Sequence, residues 1–269
     1  MASTTSNQQS TTGNGARLAG KKAIITGGAA GMGRATSLAF ANEGASVTIF
    51  DIQKEAGEEV AELIKANGGS ARFIEVDLSH TDQVDRAFDE VADQIGPYDV
   101  LFNHAGTIIV KALHETTPEE YDRLMAINVR SAFLVCRRAV KEMSDNGGGS
   151  IIITGSIASE LGYPLESVYC MTKGAVLQLA RTISAEYRDQ GIRCNAVCPG
   201  FVKTAHGLRE ISELDAAGQE WEEGALADAQ GRICEPEEVA AAVVFLASDE
   251  SSFITGNALY VDNGWYAKG

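Results

Sequence analysis

Tyr169 and Lys173 stand four residues apart, a spacing that places a phenol and an ammonium on one helical face, within reach of each other. Of the seven tyrosines, Tyr169 alone has a lysine at that distance. Ser156 comes 13 residues before Tyr169, in Thr154-Gly155-Ser156-Ile157-Ala158-Ser159, just past a strand-like run. A second group lies far upstream. Thr26-Gly27-Gly28-Ala29-Ala30-Gly31-Met32-Gly33 follows an apolar β run and opens a helical pattern. Glycines there let the chain turn tightly and let the backbone approach a pyrophosphate, which the free N–H groups and positive end of the helix attract. Asp51 ends the next strand-like run, 18 residues after Gly33. A carboxylate so placed accepts hydrogen bonds from the adenosine ribose hydroxyls and repels a 2′-phosphate. The competing use of such an aspartate is to cap the following helix. No Arg or Lys stands at Ala30 or Ile52, where a 2′-phosphate would need one. These residues point to dinucleotide binding, with NAD preferred over NADP.

The elements that must position these groups alternate along the chain. Strand-like runs at 23–26, 46–50, 73–76, 100–102, 151–154, 192–197 and 258–261 are separated by helical patterns at 31–43, 54–66, 84–95, 118–143, 168–190 and 236–247. Such alternation predicts an α/β fold: a Rossmann-type, doubly wound, seven-stranded parallel sheet with helices on both faces. No composition shift marks a second domain, so residues 17–269 are expected to form one. Right-handed crossovers bring the C-terminal strand ends to one edge, where ligands bind. Residues 203–232 interrupt the rhythm and are too long for a plain connection, so a substrate lid is expected there. Its seven acidic residues against two basic ones between Lys203 and Gly231 predict few apolar anchors.

Composition narrows the partners. With 22 Lys and Arg against 37 Asp and Glu the net charge is −15, which argues against nucleic acid and anionic membrane surfaces as partners. No apolar run approaches the ~18 residues of a membrane span. Residues 1–16 are rich in Ser, Thr, Asn and Gln, with no apolar core for a secretory signal, and are expected to be a disordered tail. Five scattered cysteines without a C-x-x-C pair read as buried thiols in a reducing cytoplasm, and with four scattered histidines they leave no metal site in view.

Taken together the motifs resemble the short-chain dehydrogenase/reductases. The resemblance covers about residues 18–261. It is carried by the glycine motif from Thr26 to Gly33, by Asp77 and by Asn103-His104-Ala105-Gly106. Asn128 in Ile127-Asn128-Val129, Ser156, Tyr169-x-x-x-Lys173 and Pro199-Gly200-Phe201-Val202-Lys203-Thr204 complete it. His104 departs from the family's Asn-Asn-Ala-Gly pattern and reads as a packing or hydrogen-bonding substitute. The resemblance implies a catalytic set of Asn128, Ser156, Tyr169 and Lys173. Tyr169 would act as general acid/base, with Lys173 favouring its phenolate and binding the nicotinamide ribose. Ser156 would bind the substrate oxygen, and Asn128 would hold a relay water. The cofactor would be NAD, bound by Gly27, Gly31, Met32, Gly33, Asp51, Asp77, Leu78, Asn103, Ala105, Gly106, Tyr169, Lys173, Pro199, Gly200, Val202 and Thr204.

The expected reaction is hydride transfer between NAD and a small secondary alcohol or ketone, open-chain or cyclic. One alternative is reduction of a 3-oxoacyl thioester on acyl carrier protein or CoA, against which Asp51 and the acidic lid count. Another, of a different class, is a non-catalytic dinucleotide-sensing protein. Tyr163, His206 and Trp221 are the residues expected near the substrate, beside Ser156. The two long helices carry Phe133, Val135, Ala139, Val140, Val176, Leu177, Leu179 and Ala180. These are more than one sheet face is expected to cover, and related enzymes pair such helices, so a homotetramer is expected.

Overall fold

The computed structural model describes residues 17–218 and 223–268. The expected tail and Trp221 lie outside the described residues. Seven strands form one sheet in the order β3-β2-β1-β4-β5-β6-β7, and every neighbouring pair is parallel. They are β1 (Lys22–Thr26), β2 (Ser46–Asp51), β3 (Ser70–Glu75), β4 (Val100–Asn103), β5 (Gly149–Thr154), β6 (Ile192–Pro199) and β7 (Ala258–Val261). The order reverses between β1 and β4, which opens a crevice at their C-terminal ends.

Adjacent strand residues bury on opposite faces, which is why the central strands read as continuous apolar runs. Ile24, Leu101 and Ile151 join one core, with Phe88 of α3 (Thr81–Gln94), Val135 of α5 (Ser131–Asp145) and Val176 of α6 (Ser167–Tyr187). Ile25, Phe102 and Ile152 join the other, with Phe40 of α1 (Gly31–Asn42), Ile64 of α2 (Lys54–Ala66) and Val243 of α9 (Pro236–Ala247). β3 starts three residues earlier than expected because its first turn of sequence, Ser70 to Arg72, carries little apolar signal yet pairs in register with Ser46 to Thr48.

Three local features differ from the expected pattern. The single helix expected over 118–143 divides into α4 (Pro118–Met125), a π-helical turn (Ala126–Arg130) and α5. Its start is as expected: Thr117 Oγ1 accepts from Glu120 N at 3.2 Å, Glu120 reaches back to Thr117 N, and Pro118 takes N1. The wide turn is set by tertiary hydrogen bonds of Asn128, which leave no trace in periodicity. The lid contains α7 (Ala205–Ala216) and α8 (Glu223–Gln230), and it is better anchored than its acidity suggested. Leu214 and Leu226 bury with Phe201, and Ile211, Ile233 and Trp265 pack against them. Gln230 is 1% exposed, its Nε2 donating to Phe201 O and its Oε1 accepting from Phe201 N. Trp265 opens a short terminal helix, α10 (Trp265–Lys268), that follows no expected element.

The apolar surplus expected on the two long helices is mostly absorbed within the chain. Val135, Ala139, Val140, Val176, Leu177 and Ala180 are buried, and Leu179 packs against the same core. Phe133 alone of the eight is exposed, at 51%, with Met171 nearby in the sequence of α6 at 50%. One sheet face and the α5–α6 packing cover more than the sequence arithmetic allowed.

Candidate active site

The crevice at the β1–β4 switch point is an open cleft with about 2530 Å³ of empty space. Its floor is the glycine turn. Gly27 and Gly31 adopt left-handed φ values of 68° and 51°. A Cβ on Gly33 would lie 1.9 Å from Gly27 O, so only glycine lets α1 start this close to the turn. Thr26 Oγ1 accepts from His104 N (2.9 Å) and Ala105 N (3.0 Å), tying the end of β1 to the end of β4. Asp51 Oδ2 accepts from Ala29 N at 3.0 Å and Oδ1 from Gln53 N at 3.0 Å. Gln53, rather than Asp51, is the N-cap of α2. Asp51 is therefore a wall of the cleft, bonded to the glycine turn.

Of the expected cofactor residues, Gly27, Gly31, Met32, Asp51, Asp77, Leu78, Ala105, Gly106, Tyr169, Lys173, Pro199, Gly200, Val202 and Thr204 line this cleft. Gly33 lies behind it, in the packing of turn and helix. Asn103 also lies behind it: its Nδ2 donates to Ala132 O at 3.1 Å, and Thr26 Oγ1 donates to its Oδ1 at 3.4 Å. Its side chain thus braces the end of β4, and Ala105 presents the cleft surface.

The reactive groups gather around Thr154 at the end of β5. Lys173 Nζ donates to Thr154 O at 2.9 Å and sits 5.5 Å from the Tyr169 ring centroid. Burial lowers the Lys173 ammonium to about 8. Burial, and then the Glu210 and Glu166 carboxyls, push the Tyr169 phenol well above its ordinary value, while the Ser156 hydrogen bond pulls it down. Ser156 Oγ also accepts from Ala158 N at 3.1 Å, which holds the hydroxyl at the mouth of the 3₁₀ turn Ile157–Ser159.

Asn128 stands behind this group in the π turn. Its Nδ2 donates to Thr107 O (2.8 Å) and Thr172 Oγ1 (3.0 Å), and its Oδ1 accepts from Thr107 N (2.8 Å). It ties the loop after β4 to α6, one residue before Lys173. His104 stacks on Phe102 at 5.2 Å, and its Nδ1 lies 3.0 Å from Thr154 Oγ1. Burial lowers its pKa to about 3, so the ring is neutral and serves as a brace.

A small recess of about 40 Å³, room for one small polar group, opens from Ser156 and Tyr169 toward the lid. Tyr163 lines it, as expected. His206 lines the larger cleft, and burial lowers its imidazole to about 4. Two residues the sequence reading passed over, Glu166 and Glu210, also line the recess. Glu166 has a sequence signal, its place three residues before Tyr169. Glu210 has none, being one of many lid acids. Among the described residues no helix is long and apolar enough to cross a membrane.

Comparison with known proteins agrees with this geometry. A family model described as enoyl-(acyl carrier protein) reductase matches residues 27–266. Dehydrogenase/reductase SDR family member 6 of Danio rerio is 37% identical over 250 residues, 93% of this chain and 98% of that protein. The solved structure of levodione reductase superposes with a TM-score of 0.89 at 30% identity, over 94% of this chain and all of that one. A Beutenbergia cavernae structure superposes with a TM-score of 0.86 at 31% identity, over 93% and 98% of the two chains. It is described as an NAD(P)-dependent gluconate 5-dehydrogenase with bound NADP. The glycine turn, the Tyr169–Lys173 pair and the whole-chain matches lead to one conclusion: this chain belongs to the short-chain dehydrogenase/reductase family.

Proposed function

We propose that this protein is an NAD-dependent oxidoreductase that transfers a hydride between a small secondary alcohol, open-chain or cyclic, and the nicotinamide. The observation that carries the reading is the meeting of Ser156, Tyr169 and Lys173 at the one end of β5 that faces the glycine-lined cleft. The glycine turn fits a dinucleotide: Gly27 and Gly31 line the cleft with left-handed backbone, and α1 starts against the turn because Gly33 has no Cβ to strike Gly27 O. When bound, NAD supplies the hydride acceptor.

The chain's own residues supply the rest. Tyr169 Oη takes the carbinol proton, and the Lys173 ammonium favours the phenolate that burial opposes. Ser156 Oγ hydrogen-bonds the substrate oxygen as it gains alkoxide character. Asn128 closes the back of the site, and because both its amide hydrogens are used, a relay water there would donate to an Asn128 oxygen. Asp51 supports NAD over NADP, since its buried carboxylate, 7% exposed, would face a 2′-phosphate. We further propose a cytoplasmic homotetramer, the exposed Phe133 and Met171 marking the helices that pair.

The description of the matching family model favours a second reading, reduction of a thioester-bound chain such as a 3-oxoacyl group, with the thioester itself left intact. The small recess beside Ser156 and the acidic lid speak against that larger, phosphate-bearing substrate. Assaying a panel of small secondary alcohols with NAD, against 3-oxoacyl thioesters with NADH and NADPH, separates the two. Faster turnover of thioesters would replace the proposal, and tight NAD binding with no turnover would favour a dinucleotide sensor.

A further inference from the structure

The recess beside Tyr169 holds two carboxyls that the mechanism above does not use. Glu166 is the N-cap residue of α6 and is 4% exposed. Glu210 reaches in from α7, its side chain 13% exposed. Both line the same recess, close enough for each carboxyl to act on the other's ionisation. Burial raises Glu166 to about 7, and burial together with the Glu166 charge raises Glu210 to about 8. Burial and their mutual repulsion therefore oppose ionisation of both carboxyls together, so the pair retains a proton more readily than exposed glutamates do. Beside it the Tyr163 hydroxyl is buried without a hydrogen-bond partner.

Among the described residues no cation lines this recess. Lys173 is bonded to Thr154 O. Arg209 sits one residue away from Glu210 in sequence, but its guanidinium reaches Thr107 Oγ1 at 3.3 Å and Glu213 at 3.6 Å. His206 Nε2 is 3.9 Å from Glu210 Oε2, and its ring is neutral at pH 7. A carboxylate or phosphate brought here would meet the pair's negative charge directly, while Lys173 and Arg209 act on Glu210 only from outside the recess. A hydroxyl or ammonium would find acceptors already desolvated and in place.

We propose that Glu166, Glu210 and the Tyr163 hydroxyl form the specificity pocket for a second polar group on the substrate, and that this group is a hydrogen-bond donor close to the carbinol. The substrate is then a small diol or amino alcohol, and hydroxy acids are rejected. This rests on the dehydrogenase reading.

The test is kcat/KM with NAD for 2-butanol, 1,2-propanediol, 1-amino-2-propanol and 3-hydroxybutyrate, which differ only in the group beside the carbinol. In the wild type the diol or the amino alcohol should exceed 2-butanol by about tenfold or more, and 3-hydroxybutyrate should be slowest. Whichever of the diol and amino alcohol leads identifies the donor. In Glu166→Gln and in Glu210→Gln the ammonium-to-methyl ratio should fall about tenfold and the carboxylate-to-methyl ratio should rise. Ratios within one enzyme cancel general losses of fold or chemistry, and Glu210→Gln alone suffices if Glu166→Gln does not fold. Ratios unchanged by both variants, or a wild type that prefers 3-hydroxybutyrate, would overturn the proposal. Turnover of any of the four with NAD upholds the dehydrogenase reading separately. If none is oxidised that reading fails, and the same ranking is read as stabilisation of the enzyme–NAD complex against melting, where a leading 3-hydroxybutyrate or no order at all would overturn the pocket.

Discussion

The two halves of the cleft are built by different means. The cofactor half is made mostly of backbone, with the Asp51 carboxylate as one side-chain wall: a glycine turn, the end of β4 and the Pro199–Thr204 segment, each lying on a contiguous run of sequence. The substrate half is made of side chains that meet only after folding, Glu166 from α6 and Glu210 from the lid. Backbone geometry accepts few residue types, so its sequence signature is narrow. A side-chain pocket accepts many, and its signature is nearly blank. The contrast implies that changes in the first half abolish binding or chemistry, whereas changes in the second retune which substrate is taken.

The sharpest break belongs to the group between the halves. Tyr169→Phe should lower kcat by about 10²–10⁴-fold, the range for loss of a general acid/base, while calorimetry finds NAD affinity nearly unchanged. Gly33→Ala should strike the cofactor half. Its Cβ would meet Gly27 O at 1.9 Å, backbone that cannot yield cheaply, so about 3 kcal/mol of stability should be lost in denaturant titration. NAD affinity should fall with it. Asp51→Ala should act on choice rather than on binding as such. Like charges about 4 Å apart repel by about 4 kcal/mol at an effective dielectric near 20. With screening, the wild type should prefer NAD by an order of 10²-fold, and the variant should lose most of that preference in steady-state kinetics.

The smallest effect belongs to the substrate half without substrate. Glu166 and Glu210 have folded pKa values of about 7 and 8, above their ordinary 4.5. The folded state then binds more protons than the unfolded one, so their contribution is fully present below about pH 4.5 and is lost as pH rises through about 8. His104 and His206 work the other way, being held neutral near 3 and 4 and so costing stability as pH falls below 6.5. The melting temperature of the wild type minus that of Glu210→Gln isolates the pair. That difference should decline steadily between pH 5 and pH 8.5.

What was legible follows the same division. The seven-stranded sheet could be read because its central strands are buried on both faces and so form unbroken apolar runs. The polar start of β3 could not. Asn103 stands at the expected strand end with its side chain bonded to Ala132 O and Thr26 Oγ1, an orientation that a motif does not carry. The π turn at Asn128 and the Glu166–Glu210 pair are set by contacts between distant segments. The surplus of apolar residues on α5 and α6 proved to be core, because a count along one helix cannot see how much the neighbouring helix covers.

The central claim is that the Ser156–Tyr169–Lys173 group, beside a cleft walled by Asp51, performs NAD-linked oxidation of a small secondary alcohol. Its most direct test is the initial rate of reduced-nicotinamide formation by the wild type given NAD or NADP and a panel of such alcohols, with the ketone product counted against reduced cofactor. The account predicts one ketone per reduced cofactor and faster turnover with NAD. Binding of NAD without reduction by any alcohol, or faster turnover with NADP, would contradict it.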